Sequence, residues 1–387
     1  ADALAGLTVA LVLIPQSMAY AQLAGLPAYI GLYASFLPVI IGALFGSSRQ
    51  LGTGPVAIVS LMSAAAMQPY IGQGIETVVA YSALLAIMIG VFQLSLGLLK
   101  LGVLVDFLSH PVVIGFTNAG ALIIGSSQVP KLFGLNVKAD QFDHHYEFIW
   151  AIITTLPKTQ IITLLMAIVA LGMLLTLRKY FPRQPSVLIT VVTTTLLSWA
   201  LGYQAAGGSV VGTIPQGLPS LTIPNVAISI QTLGSLATTA MIIGLLGFVE
   251  AISIAKAMAA QTRQRLSANQ ELVGQGLANI SSGLFSGYAV SGSFSRSAVN
   301  FAAGAVTGFS SVVTGVLVAI TLLFLTPLVY HLPQATLAAV IIMAVINLLN
   351  FSPIKHAWKV EKHDGIVAVV TFCATLAFAP HLDQGLF

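Results

Sequence analysis

About thirteen apolar segments, separated by short polar or Gly/Pro-rich connectors, cover this chain almost from end to end. They lie near residues 3–22, 28–45, 55–70, 76–99, 108–128, 159–177, 186–203, 231–255, 270–286, 292–304, 308–330, 335–349 and 364–379. About 20 apolar residues cross a bilayer as a helix, although several of these segments are shorter. Only 7% of the residues are charged, whereas soluble domains carry about 25%. The chain is therefore predicted to be an all-α polytopic membrane protein.

The basic residues are distributed unevenly between the connectors. If the N-terminus lies in the cytoplasm, eleven fall on the predicted inner side and three on the outer side. The inner ones are Arg49, Lys100, Arg178, Lys179, Arg183, Lys256, Arg263, Arg265, Lys355, Lys359 and Lys362, and the outer ones are Lys131, Lys138 and Lys158. The positive-inside rule predicts this asymmetry. We therefore expect a multi-pass protein of the inner or plasma membrane with a cytoplasmic N-terminus, and the net charge of +4 requires no nucleic-acid partner.

Two short segments, at 50–56 and 290–294, indicate an internal repeat. Transporters built from inverted repeats place unusually short, Gly/Pro-interrupted helices at matching positions in their two halves. Gly54 and Gly292 are 292 − 54 = 238 residues apart. A second pair of landmarks, Gln16 and Glu250, gives nearly the same offset, 250 − 16 = 234. The sequence therefore predicts two halves of seven helices.

The local residues predict how these helices begin. Each short segment has a few residues suited to extended backbone, followed by small residues and then a half-helix. Pro55 suits the first turn of one half-helix, and Ser291 or Ser293 suits the N-cap of the other. The first helix is expected to be interrupted near Pro15, which removes a backbone N–H and frees a carbonyl.

Arg296 is the only charged residue between Glu271 and His331. A charge inside a membrane segment is costly and by default marks a functional site. Two facing half-helix N-termini present unpaired N–H groups and the positive ends of two helix dipoles, and the guanidinium adds donors suited to an oxyanion. Gln16 and Tyr20, four residues apart on one helix face, are positioned to complete such a site with neutral hydrogen bonds. These residues predict a binding site for a small anion.

Seven short sequence motifs resemble those of a known protein family. They are Leu-Ile-Pro-Gln-Ser-Met-Ala-Tyr-Ala (13–21), Gly-Leu-Tyr (31–33), Phe-Gly-Ser-Ser-Arg (45–49), Gly-Pro-Val-Ala (54–57), Gly-Phe-Val-Glu (247–250), Asn-Gln-Glu-Leu (269–272) and Gly-Ser-Phe-Ser-Arg-Ser (292–297). In this order they closely resemble the sulfate permease (SulP) family of anion transporters. The resemblance implies a seven-plus-seven inverted-repeat fold shared with uracil permeases, in which a core domain moves against a gate domain.

The resemblance also implies which residues form the site. The family's substrate lies between the third and tenth helices, with contributions from the first and eighth. The corresponding anion-binding residues are Gln16, Tyr20, Val56, Ala57, Ser293, Phe294, Ser295 and Arg296. Glu250 in the eighth helix is the candidate for the coupling ion.

The implied domains follow the helix order. We expect the core to comprise residues 1–100 (helices one to four) and 228–331 (eight to eleven), and the gate to comprise 101–227 (five to seven) and 332–387 (twelve and thirteen). Family members usually continue through a fourteenth helix into a cytosolic STAS domain. The chain ends at Phe387 with about thirteen helices, so we expect it to be the membrane part of a longer protein.

Other interpretations of the same residues remain open. Arg296 is also compatible with a structural ion pair to Glu250, or with a side chain that extends to water, because intramembrane charges commonly pair. Removal from water favours a protonated Glu250 whereas Arg296 favours the carboxylate, so the balance stays open. Small residues near 292 are compatible with helix packing alone, and Gln16 and Tyr20 with interhelical hydrogen bonding.

We therefore predict secondary active transport of a small inorganic anion, with sulfate coupled to protons as the first choice, by elevator-type alternating access. The alternatives are bicarbonate or dicarboxylate transport coupled to protons or sodium, and uncoupled exchange or a channel. A nucleobase permease would lack the intramembrane arginine. No enzyme activity, cofactor or metal site is predicted, since the adjacent His144 and His145 have no spaced partner ligand. A homodimer in the lipid bilayer is expected.

Overall fold

The structure is a computed structural model that describes residues 1–103, 110–142, 144–181, 184–224, 226, 230–346, 348–352, 355, 358 and 362–379. Its helices and strands are, in chain order, α1 (Asp2–Leu23), α2 (Ala28–Tyr33), α3 (Leu37–Phe45), β1 (Gly52–Gly54), α4 (Ala57–Met67), α5 (Ile75–Leu98), α6 (His110–Phe133), α7 (His145–Thr155), α8 (Ile161–Tyr180), α9 (Ser186–Ala200), α10 (Ile230–Thr262), α11 (Ala268–Leu284), β2 (Ser291–Ser293), α12 (Phe294–Ala302), α13 (Phe309–Ile320), α14 (Gln334–Ile346) and α15 (Lys362–Phe378). Arg183 and Lys359, which were assigned to inner connectors, lie outside the described residues.

Seven helical spans within the described ranges are long and apolar enough to cross a membrane. They are Asp2–Leu23, Ala28–Phe45, Ile75–Leu98, Pro111–Phe133, Ile161–Tyr180, Thr232–Thr262 and Phe309–Val329. Every apolar segment of the sequence coincides with helical residues. Helix α7 corresponds to none of the apolar segments, and its eleven residues are too few to span a bilayer.

Two of the helices, α4 and α12, are half-helices. With 11 and 9 residues they are roughly 16 and 14 Å long, so neither crosses the hydrocarbon core alone. Each follows a three-residue strand, and the two strands pair antiparallel with Gly52 opposite Ser293 and Gly54 opposite Ser291. The strands begin 291 − 52 = 239 residues apart and the half-helices 294 − 57 = 237 apart. These offsets agree with the repeat spacing read from the sequence.

Two local predictions are wrong, one about the first helix and one about the start of α4. The first helix is not interrupted, because α1 runs continuously from Asp2 to Leu23 with Pro15 inside it. A proline in a membrane helix is tolerated when neighbouring groups satisfy the carbonyl it frees. Pro55 does not lie in the first turn of α4, because the N-cap is Val56 in an extended conformation. The carbonyl of Pro55 instead accepts a hydrogen bond from Arg296, which accounts for its place outside the helix.

The chain divides into two compact units. One comprises Ala1–Phe107 and Pro215–Thr326, and therefore α1 to α5, α10 to α13 and the two-stranded ladder. Within it, α11 packs along α5 and α3, and α1 packs against α13. The other comprises Leu108–Ile214 and Pro327–Phe387, where α6 packs against α14 and α15.

The contact between α5 and α11 depends on glycine. A Cβ added at Gly276 would lie 2.6 Å from the backbone nitrogen of Leu94 and 2.8 Å from the carbonyl oxygen of Gly90. One added at Gly283 would collide with the carbonyl oxygen of Ala83. Small residues allow membrane helices this close approach. The glycines thereby hold α11 in a fixed position on α5.

We expect Gly276→Ala to lower the melting temperature of the detergent-solubilised protein, since overpacking costs about 1–3 kcal/mol. The matched control is Gly172→Ala in α8, where nothing lies within 4 Å of an added Cβ. That variant should keep or slightly raise the melting temperature, because alanine favours helix over glycine. Equal melting temperatures for the two variants would contradict the packing described here.

Candidate functional site

The Arg296 side chain is fully buried and lies along β1. Arg296 is the third residue of α12, and its Cβ approaches Gly52, the residue opposite Ser293 in the ladder. Nη1 donates to the carbonyl of Pro55 at 2.8 Å, and Nη2 donates to the carbonyl of Gly52 at 3.4 Å. Gly54 must be a glycine here, since its φ is +146° and an added Cβ would lie 3.3 Å from Nη2. The arginine side chain therefore links the first turn of α12 to the segment that precedes α4.

Among the residues that the structure describes, no carboxylate forms a hydrogen bond with Arg296. Both acceptors are neutral carbonyls, and the buried Nε has no hydrogen-bond partner. Within the described part of the chain, two of the five N–H donors of the guanidinium have a hydrogen-bond acceptor. The hydrogen bonds of Arg296 go to the backbone rather than to Glu250, and its side chain is 0% exposed. Glu250 interacts with this charge electrostatically but without a hydrogen bond, so an anion in direct contact with the guanidinium would stabilise the folded site further.

Both helix N-termini at the ladder lack a side-chain cap. Val56 is the N-cap of α4, and Ser293, one of the two predicted candidates, is the N-cap of α12, but neither side chain accepts a hydrogen bond from the first turn. The Ser293 hydroxyl lies 3.4 Å from the Ser295 hydroxyl instead. Because the strands are antiparallel, the two helices begin at opposite ends of a ladder roughly 7 Å long. The first-turn amides and positive dipole ends of α4 and α12 are therefore not capped by the side chains of Val56 and Ser293.

Helices α1 and α10 supply the remaining polar groups. Gln16 and Tyr20 are buried in α1, and Glu250 is partly buried in α10. Tyr20 and Glu250 both interact electrostatically with Arg296. The Gln16 Oε1 and Glu250 Oε2 atoms are buried and have no hydrogen-bond partner. Unpaired buried oxygens of this kind need a donor, which for Glu250 can be a proton.

The predicted site residues fall into two groups, all of them in one compact unit. The buried or partly buried ones are Gln16, Tyr20, Val56, Ala57, Glu250, Ser293 and Arg296. Phe294 and Ser295, the first two residues of α12, are exposed, with Phe294 at 60%. They directly follow β2 and precede Arg296 in the first turn of α12. The grouping of the described His, Cys, Asp and Glu residues offers no metal site.

Three further residues support the site without having been predicted. Ser60 donates to the carbonyl of Val56 at 2.8 Å, so the Tyr288 hydroxyl, 2.9 Å from Ser60, must donate to it. Ser297 donates to the carbonyl of Ser293 and accepts from the N–H of Gly52, which joins α12 to β1. Ser297 follows Ser293 by four residues in the motif. This spacing in the sequence could have indicated the hydrogen bond between them. Tyr288 has no such signal, because its contact with α4 exists only in the folded chain.

A family model described as the sulfate permease family matches residues 1–371. The chain belongs to this family. It is 40% identical over 385 residues to the chloroplastic sulfate transporter 4.1 of Arabidopsis thaliana, covering 97% of this chain and 55% of the relative. It is 36% identical over 408 residues to a sodium-independent sulfate anion transporter of Bos taurus, covering 96% and 65%. The chain thus spans between about half and two thirds of the length of these relatives. Their names confirm the prediction of a transport protein rather than an enzyme.

Solved structures of anion transporters have the same fold. The murine Solute Carrier 26 family member A9 anion transporter, in its inward-facing state, matches with a TM-score of 0.89 and 26% identity over 100% of this chain and 66% of that one. The transmembrane domain of the cyanobacterial bicarbonate transporter BicA matches with a TM-score of 0.86 and 24% identity over 100% and 97%. These matches confirm the predicted all-α, seven-plus-seven inverted-repeat fold of this sulfate permease family member.

Proposed function

We propose that this chain carries a small anion across a membrane and binds it at Arg296. The observation behind this proposal is that, among the described residues, the fully buried guanidinium hydrogen-bonds to two neutral carbonyls while its Nε has no hydrogen-bond partner. An oxyanion that accepts from Nε and from the first-turn amides of α4 and α12 would neutralise this charge. It would also use donors that otherwise have no partner.

Sulfate is the first candidate substrate. The relatives from Arabidopsis thaliana and Bos taurus are named as sulfate transporters. A tetrahedral oxyanion has enough acceptor oxygens to engage the guanidinium and two helix N-termini together. Bicarbonate and dicarboxylates suit the same donors, and one structural neighbour is named as a bicarbonate transporter. These anions are therefore the alternatives to test.

Glu250 is proposed to couple transport to a proton. It interacts electrostatically with Arg296, and its Oε2 has no hydrogen-bond partner. An incoming anion and an ionised Glu250 compete for the same positive charge, so anion binding favours protonation and protonation favours anion binding. The apparent affinity for the anion should then rise as the pH falls through the titration of Glu250. Sodium coupling, exchange and uncoupled flow remain the alternatives.

Transport is proposed to occur by an elevator-type movement, with Ala1–Phe107 and Pro215–Thr326 as the core and the remaining unit as the gate. All nine predicted site residues belong to the core. Movement of that unit as one body would carry the anion without dismantling its site. A homodimer, the inner or plasma membrane and a cytoplasmic N-terminus stay predictions; the excess of basic residues in the connectors assigned to the inside supports this orientation.

An uptake assay with radiolabelled sulfate in proteoliposomes tests this function. We expect saturable uptake. A proton gradient with the acidic side outside should accelerate it, whereas an inward sodium gradient should leave the rate unchanged. Competition by bicarbonate, oxalate and succinate, each at the same concentration, then ranks the anions. Uracil is the control competitor and should leave uptake unchanged. Saturable uracil uptake without saturable uptake of any of these anions would instead indicate a nucleobase permease.

A further inference from the structure

Three buried polar side chains form a stripe along one face of α11. Glu271, Gln275 and Asn279 stand four residues apart, a spacing that places them above one another on a helix. Each is at most 1% exposed. Polar groups buried in a membrane protein are costly unless they are hydrogen-bonded, so the partners of this stripe show what it stabilises. We define these three residues as the α11 stripe.

Asn279 clamps the residue directly before β2. Its Oδ1 accepts from the N–H of Val290 at 2.8 Å, and its Nδ2 donates to the carbonyl of Val290 at 3.0 Å. Nδ2 also lies 3.0 Å from the Oε1 of Gln93 in α5, and Gln93 in turn donates to the carbonyl of Gly244 in α10. The start of β2 is thereby fixed to three helices.

The other two members of the stripe hold β1 and the segment leading to it. Gln275 donates from Nε2 to the Thr53 hydroxyl at 2.9 Å, in the middle of β1. Glu271 accepts from the N–H groups of Ser47 and Ser48 at 2.8 and 2.9 Å. A single helix face therefore contacts both strand segments of the ladder.

We propose that the α11 stripe is a positioning device that sets the anion affinity of the site without touching the anion. The glycine contacts hold α11 on α5, so the stripe is a fixed reference for both strands. The strands in turn fix the start of α4 and of α12, which carries Arg296. A shift of either strand changes the distance between the guanidinium and the amides of α4. This inference rests on the proposed anion site at Arg296.

Thr53 provides the sharpest test, because its substitutions separate the hydroxyl from side-chain volume. Thr53→Val keeps the shape and removes the acceptor of Gln275, whereas Thr53→Ser keeps the hydroxyl. We expect Thr53→Val to raise the KM of radiolabelled sulfate uptake about five-fold, as the loss of one hydrogen bond of about 1 kcal/mol implies. Thr53→Ser should restore most of the wild-type value. The matched control is Thr194→Val in α9, a fully buried threonine that donates to carbonyls of its own helix.

Asn279→Ala is the stronger variant and should raise the KM at least tenfold. Its control is Asn118→Ala, since Asn118 forms the same two-bond clamp on the backbone of Asn350, at 2.8 and 3.1 Å, in the other unit. If Asn279→Ala does not fold, the comparison of Thr53→Val with Thr53→Ser tests the positioning role without it.

Equal KM values for Thr53→Val, Thr53→Ser and Thr194→Val would overturn the positioning role, as would a melting-temperature loss in Thr53→Val at an unchanged KM. If Arg296→Ala abolishes saturable uptake while Thr53→Val leaves the KM unchanged, only the positioning inference fails. If Arg296→Ala keeps wild-type uptake, the proposed function fails and this inference fails with it.

Discussion

Replacing Arg296 with alanine is expected to abolish saturable sulfate uptake in proteoliposomes. The variant removes the positive charge at the ladder and the Nε donor, which has no hydrogen-bond partner among the described residues and to which an oxyanion would bind. Charge-assisted hydrogen bonds contribute about 1.5–3 kcal/mol each, so losing two of them lowers the apparent affinity at least about 100-fold. The measurement is the initial uptake rate over a wide range of sulfate concentrations.

The folded state of the variant has to be measured beside its transport. Arg296→Ala leaves the carbonyls of Pro55 and Gly52 without a partner, and we expect a loss of stability of about 1–3 kcal/mol per orphaned group. Arg296→Lys is the graded control, since it keeps the charge but loses the planar fork of donors. It should retain weak, saturable uptake. Wild-type affinity in a folded Arg296→Ala variant contradicts an anion site at this residue.

Glu250→Gln is expected to make uptake independent of an imposed pH gradient. The amide keeps the volume and hydrogen-bonding capacity of the carboxyl group but does not titrate. With one coupled proton, a gradient of one pH unit supports about tenfold accumulation in the wild type, whereas the variant should show none. Uptake driven by the anion gradient alone should remain, because the arginine and both helix N-termini are intact.

Glu250→Asp is the matched variant that keeps a titrating group at this position. It should keep the pH dependence at a reduced rate, since the shorter side chain places the carboxylate differently. Proton-driven accumulation that survives in Glu250→Gln would assign the coupling role to another group. Acceleration by a sodium gradient in the wild type, with none from protons, would replace the proton with sodium.

Much of this architecture was predictable because the bilayer restricts the chain so strongly. A run of apolar residues in lipid has to be a helix, since every backbone polar group must be satisfied within the segment. The repeat offset between Gly54 and Gly292 then predicted two half-helices at matching positions, and the structure has both. A charge as isolated as that of Arg296 indicated a polar site within the membrane.

The features that the sequence did not predict are contacts between side chains and backbone, which the spacing of apolar and polar residues does not reveal. The sequence left open an ion pair between Arg296 and Glu250 but did not indicate that the guanidinium donates to the carbonyls of Gly52 and Pro55. Backbone acceptors carry no residue-type signal, so only the folded ladder reveals them. Pro15 was expected to break its helix, but the sequence does not show which neighbouring helices surround it. The α11 stripe was partly visible as a motif at 269–272, yet its role depends on which strands it touches.

The central claim is that one anion lies between Arg296 and the two half-helix N-termini. Anomalous diffraction from crystals of the protein soaked with selenate, an oxyanion that replaces sulfate, locates such an anion directly. Competition between selenate and sulfate in the uptake assay first establishes that both use the same site. We predict an anomalous peak about 4 Å or less from the Arg296 guanidinium, beside the first turns of α4 and α12. A selenate peak elsewhere in the protein, with none at Arg296, would contradict the account.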